Sequence, residues 1–65
     1  MEKFISHKNS NKYGFNKGDV FNVFRTIMGE CVLIVKDERK PNIIMSEENV
    51  RYYGELTGTP AMGGS

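Results

Sequence analysis

Apolar residues in this chain come in short bursts, set apart by polar and glycine-containing stretches. The first burst is Phe4-Ile5, which reads as a short strand at the edge of a sheet, Phe4–Ser6. The polar run from His7 to Asn11 reads as an exposed loop. Tyr13 and Phe15, on either side of Gly14, bring the chain back to the core. Gly18-Asp19 is a turn signal, because Gly takes positive φ without strain and Asp hydrogen-bonds its own backbone. Val20-Phe21-Asn22-Val23-Phe24 follows, and its β-branched and aromatic content favours a strand. Positions 20, 24, 27 and 28 also share a helical face, with Asp19 as cap and Gly29 as stop. The local pattern therefore leaves an α+β alternative open, with a helix over residues 20–28.

Ile27-Met28-Gly29-Glu30 reads as a turn with Gly29 at its sharp position. Cys31-Val32-Leu33-Ile34-Val35 is an unbroken apolar run of strand length, which predicts a central strand buried on both faces. Lys36–Asn42 is a charged turn in which Pro41 bounds the next strand, Asn42–Met45, so these two strands form a hairpin. Ser46 is placed to cap a helical turn through Glu47, Glu48 and Asn49, where two acids suit the positive end. Val50 then faces inward, and Arg51-Tyr52-Tyr53 closes the sheet as its last strand. From Leu56 the chain is Gly-, Thr- and Pro-rich, so residues 1–55 read as one domain and residues 56–65 as a disordered tail. Gly63-Gly64-Ser65 has the look of a linker, and part of this tail reads as a cloning scar without functional weight.

The stretch Phe15-Asn16-Lys17-Gly18-Asp19-Val20-Phe21-Asn22-Val23 resembles the segment that ends the first long loop of SH3 domains and begins their second strand. Ser46-Glu47-Glu48-Asn49-Val50 sits where that family has a short 3₁₀ turn before its last strand. The resemblance spans Met1 to Tyr53 and favours the strand at residues 20–24. It implies a mainly β fold, a small SH3-like barrel of about five short strands with one 3₁₀ turn. SH3 domains bind proline-rich peptides in an aromatic groove. Here the tyrosine-bearing motif of the first strand is replaced by Phe4-Ile5-Ser6-His7, and the tryptophan of the third strand by Cys31. Ser46 and Asn49 stand in place of the turn's Pro and Tyr, and Lys8 and Lys12 in place of the acidic long loop. Only Tyr13, Tyr52 and Tyr53 remain as groove aromatics, so the resemblance implies a kept scaffold and a lost groove.

Composition narrows the chemistry. With 65 residues the chain holds one small core, and its single cysteine, Cys31, cannot form an internal disulfide. Together with the lack of a signal-peptide core and of any membrane-spanning apolar run, this predicts a cytoplasmic protein without membrane contact. Cys31 and His7 are the only candidate nucleophile and base, one opening an apolar strand and the other in a polar loop. One Cys and one His do not make a metal site, and no phosphate-binding or dinucleotide fingerprint is present. The expectation is a non-enzyme with no cofactor and no metal.

The net charge of +1 hides an asymmetry: Lys3, Lys8, Lys12 and Lys17 face only Glu2 in the first 18 residues. A small barrel of this kind works by docking on another macromolecule. The expected partner is another protein, met by the long loop (His7, Lys8, Asn11, Lys12, Tyr13) and the charged turn (Lys36, Arg39, Lys40). Its small size and Lys- and Asn-rich composition resemble phage-encoded factors that inhibit or redirect a host protein. The alternative is a weak nucleic-acid binder using Lys8, Lys12, Lys17 and Arg25. Homodimerisation through an edge strand such as Phe4–Ser6 is a further expectation.

Overall fold

The computed structural model describes residues 1–59. Its elements are β1 (Lys3–Ser6), β2 (Val20–Arg25), β3 (Cys31–Ile34), β4 (Ile43–Met45), α1 (Glu47–Tyr53) and β5 (Gly54–Thr57). The strands form one antiparallel sheet in the order β4-β3-β2-β1-β5. The fold is mainly β, and residues 20–25 are extended, which closes the helical alternative.

Strand alternation decides what is buried. Phe4, Val23, Cys31, Leu33 and Met45 point inward and form one core with Phe15 from the long loop and Val50 from α1. Phe21, Ile43, Tyr53 and Leu56 pack against its margin. Since all five strands feed one core, the sheet must coil around it. The turn at Ile27–Glu30 forms as expected, with Gly29 at φ +85°, a region that strains residues carrying a Cβ. So does the hairpin of β3 and β4.

Several expectations are corrected. β1 is not an edge: it lies between β2 and β5, and the edges are β4 and β5. The run in β3 is not buried on both faces. Cys31 and Leu33 are buried, whereas Val32 and Ile34 are half-buried on the outer face. Arg51, Tyr52 and Tyr53 are helical and not a closing strand. Ser46 caps the helix as predicted, its hydroxyl accepting from the Asn49 amide at 3.3 Å. The helix runs on past that turn because Val50 and Tyr53, three apart, both turn to the core. The last strand is therefore Gly54–Thr57, so Leu56 and Thr57 belong to the sheet. The tail expected beyond residue 59 lies outside the described residues.

The long loop between β1 and β2 is bound down along its length. Its base is closed by Ser6 and Gly18, whose amides donate to Asp19 and Ser6 carbonyls at 2.9 and 2.8 Å. Ser10 and Phe15 exchange backbone bonds at 2.8 and 3.1 Å, and the Asn9 side chain accepts from the Lys17 amide at 2.7 Å. This folding inserts Phe15 edge-on between Phe4, Phe21 and Tyr53.

Candidate functional site

Beside the long loop, the sheet leaves an open cleft of about 340 Å³. Phe21, Val35, Pro41 and Ile43 contribute its apolar surface, Tyr13 and Gly14 line it from the loop, and Asp19, Asp37 and Lys40 bring its charges. Each element has a local reason to be there. Phe21 and Ile43 are the inward residues at the ends of β2 and β4, where the core thins. Asp19 is fixed by accepting the Asn16 amide at 2.8 Å, and Asp37 by accepting the Arg39 amide at 3.0 Å. The Tyr13 ring stacks parallel to Phe15 and meets Tyr53 edge-on, and its hydroxyl accepts from the Asn49 side chain at 3.3 Å. Tyr13 is thus a rigid wall, held from below by the core and from the side by α1.

The two segments expected to act together do so only in part. Tyr13 and Lys40 share the cleft, and the Lys12 ammonium lies 5.4 Å from the Tyr13 ring centroid. Asn11 sits exposed in the same turn as Tyr13. Arg39 is almost fully exposed and reaches Asp37 at 3.5 Å. Lys36 falls elsewhere, in a depression of the outer sheet face with Lys3, Asn22 and Ile34. His7 pairs with Glu55 of β5 at 3.4 Å, and the Lys8 ammonium lies 3.9 Å over the Tyr52 ring. Lys8, Tyr52, His7 and Glu55 therefore make a separate patch at the junction of β1, α1 and β5. The loop and the turn were joined by sequence reasoning, but Phe21, Val35, Pro41 and Ile43 were missed as cleft surface. Alternation along β2 and β4 was the signal that could have found Phe21 and Ile43.

Of the basic residues grouped for nucleic-acid contact, Lys8, Lys12 and Lys17 are exposed on the long loop. Arg25 is not with them: it is drawn inward by Glu2, at 3.1 Å, and by Glu47, at 3.9 Å. Its pKa is raised above the ordinary arginine value, chiefly by the hydrogen bond to Glu2. Cys31 is fully buried at the start of β3, and burial pushes its thiol up, away from the reactive thiolate. Among the described residues no cluster of three His, Cys, Asp or Glu is placed to hold a metal ion, and no helix is long and apolar enough to cross a membrane. Comparison of the chain with models of known protein families, with curated proteins and with solved structures finds no match.

Proposed function

We propose that this chain is a non-catalytic protein-binding module on an SH3-like small barrel, acting as an accessory or inhibitory factor on a host protein. A long loop after the first strand, a central hairpin and a helical segment leading into the last strand support the SH3-like part of this reading. The observation that carries the docking role is the cleft itself, where Tyr13 of the loop and Lys40 of the turn flank a common apolar surface. A rigid aromatic beside exposed apolar groups, with charges of both signs at the rim, suits a protein segment that offers one apolar anchor between polar residues. A cytoplasmic setting and a phage origin belong to the same proposal.

The test is affinity capture from a native lysate after nuclease treatment, with Tyr13→Ala and Tyr52→Ala compared against the unaltered chain. A specific protein retained by the unaltered chain and by Tyr52→Ala, but lost with Tyr13→Ala, is the expected result. Equal capture by all three would remove the cleft from the reading.

A second reading is favoured by one observation: Lys8 and Lys12 each lie over a tyrosine ring, Tyr52 and Tyr13, a pairing suited to single-stranded nucleic acid. With Lys17 as the third cation and Arg25 withdrawn, binding would fall with salt at a log–log slope of about −2. An affinity for oligonucleotides that is flat in salt would dismiss it.

A further inference from the structure

The sheet has two edges, and they are guarded differently. β5 carries Glu55 in its interior, paired with His7, begins at Gly54 and is followed by Gly58. β4, Ile43-Ile44-Met45, carries no charge at all. Outside their pairing with β3, these three residues make no backbone hydrogen bond among the described residues. Exposed edges of this kind are templates for pairing with another strand unless charge, proline or a bulge blocks them. Beside this edge the outer face is apolar. Phe24, Val32 and Ile44 stand opposite one another across β2, β3 and β4, with Phe24 46% and Ile44 58% exposed.

We propose that a second copy of this chain adds to β4, antiparallel, about a two-fold axis at Ile44. Charge complementarity singles out this occupant. Arg39 and Lys40 precede β4, and Glu47 and Glu48 follow it. Arg39 already pairs with Asp37, and Glu47 with Arg25 and Arg51, so the complementarity rests on Lys40 and Glu48. An antiparallel two-fold pairing centred on Ile44 sets Ile43 across from Met45. It brings the basic end of each copy, with Lys40, to the acidic end of the other, with Glu48. The interface is isologous, so each contact occurs twice. The outer row Phe24–Val32–Ile44 then runs on into the same row of the second copy, covering apolar surface that the single copy leaves in water. With a net charge of +1 per chain, long-range repulsion between copies is small. This surface overlaps the docking cleft at Ile43 and Lys40, whereas Ile44 and Glu48 lie outside it and separate the two readings.

Sedimentation of the full chain over a wide concentration range tests the proposal. The unaltered chain should shift from monomer to dimer. Ile44→Lys puts like charges on the axis at an exposed position and should weaken dimerisation at least about tenfold, with the circular dichroism spectrum unchanged. Glu48→Lys should weaken it, and the double change Lys40→Glu with Glu48→Lys should recover it. A chain that stays monomeric throughout, or dimers indifferent to Ile44→Lys, would overturn the proposal. Failure of the double change to recover the dimer would overturn the register. If the chain is monomeric and Ile44→Lys abolishes capture of a lysate protein, the face belongs to that protein and not to a second copy. Tyr13-dependent capture that persists in Ile44→Lys leaves the cleft reading standing whichever way the dimer falls.

Discussion

The Arg25 guanidinium holds the Glu2 carboxylate through two hydrogen bonds, Nε to Oε1 at 3.1 Å and Nη2 to Oε2 at 3.2 Å. The Glu2 side chain is 5% exposed and that of Arg25 25%. The backbone locks the same place, since the Val23 amide donates to the Glu2 carbonyl at 2.9 Å. The pair therefore fastens the start of the chain to the end of β2, and Glu47 extends it to α1.

Breaking one side of this pair should cost more than losing a surface ion pair. Glu2→Gln leaves a partly buried guanidinium without its charge partner, at about 2–3 kcal/mol. A core of this size supplies only about 3–5 kcal/mol in total, so the variant should keep about 0–3 kcal/mol and unfold at a much lower urea concentration. Arg25→Lys keeps the charge but loses the planar fork, and should fall between. Urea unfolding followed by circular dichroism checks this against Glu38→Gln in the charged turn. Equal midpoints for Glu2→Gln and Glu38→Gln would show that the pair contributes nothing.

Phe15 lies in the long loop and reaches the core, as its place beside Gly14 predicts. It is 2% exposed, and its ring meets Phe4, Phe21 and Tyr53 edge-on at centroid distances of 5.7, 6.1 and 5.6 Å. Removing it opens a cavity beneath Tyr13 and frees the loop. Phe15→Ala should cost about 3–5 kcal/mol, enough to prevent folding, while Phe15→Leu should fold with a lowered melting temperature. A folded Phe15→Ala with native amide-exchange protection at Ser10 and Gly18 would contradict this account of the loop.

How much of this was legible beforehand depended on whether the determining contact was local. β3 announces itself through its β-branched residues, and the Ser46 cap with Glu47 and Glu48 through its spacing, whereas β2 shares its local pattern with a helical face and is clearly favoured as a strand only with the resemblance. What was misread depends on partners distant in sequence. Phe4–Ser6 is interior only because Gly54–Thr57 pairs with it, some fifty residues on. In Gly54-Glu55-Leu56-Thr57 the last two residues look like tail, since Leu56 is one large apolar residue in a Gly- and Thr-rich stretch. The segment becomes a strand because Leu56 faces Phe4 across the pair. The role of Arg25 was hidden for the same reason, as nothing near it in sequence reveals Glu2. The cleft was half legible: its loop and turn were expected to cooperate, but its apolar surface comes from inward positions whose exposure depends on where the core ends.

Gly54 tests the interior position of β1. Its backbone is extended, so conformation does not demand glycine there; space does. A Cβ at this position would run into the Ile5 carbonyl and the Phe4 ring. Gly54→Ala should therefore destabilise by overpacking, about 1–3 kcal/mol or more. At Gly29 the reverse holds, with open space but φ +85°. Gly29→Asn should still be strained, but at about 1 kcal/mol it should cost less than Gly54→Ala because Asn tolerates the left-handed region better than other residues with a Cβ. Chemical denaturation of the two variants side by side checks the ranking. A Gly54→Ala protein as stable as the unaltered chain would mean that β5 does not approach β1 as closely as described.

Cys31 sets a pH dependence whose sign is fixed by its surroundings. Burial raises the thiol pKa; Arg25, its cross-strand partner, lowers it, and Glu2 and Glu47 raise it further. The unfolded chain thus releases this proton before the folded one does. Stability from the neutral buried thiol is fully present below the ordinary thiol pKa of about 8.5 and is lost as pH rises beyond it. The loss approaches about 1.4 kcal/mol per pH unit until the folded thiol itself ionises. Other groups that titrate in this range are shared with Cys31→Val, so the difference between the two proteins isolates the thiol. Urea midpoints should fall more steeply from pH 8 to 10 in the unaltered chain than in Cys31→Val. A thiol reagent should label native Cys31 no faster than the chain opens. Parallel pH profiles, or immediate labelling of the native protein at neutral pH, would show that the thiol is not held neutral in the core.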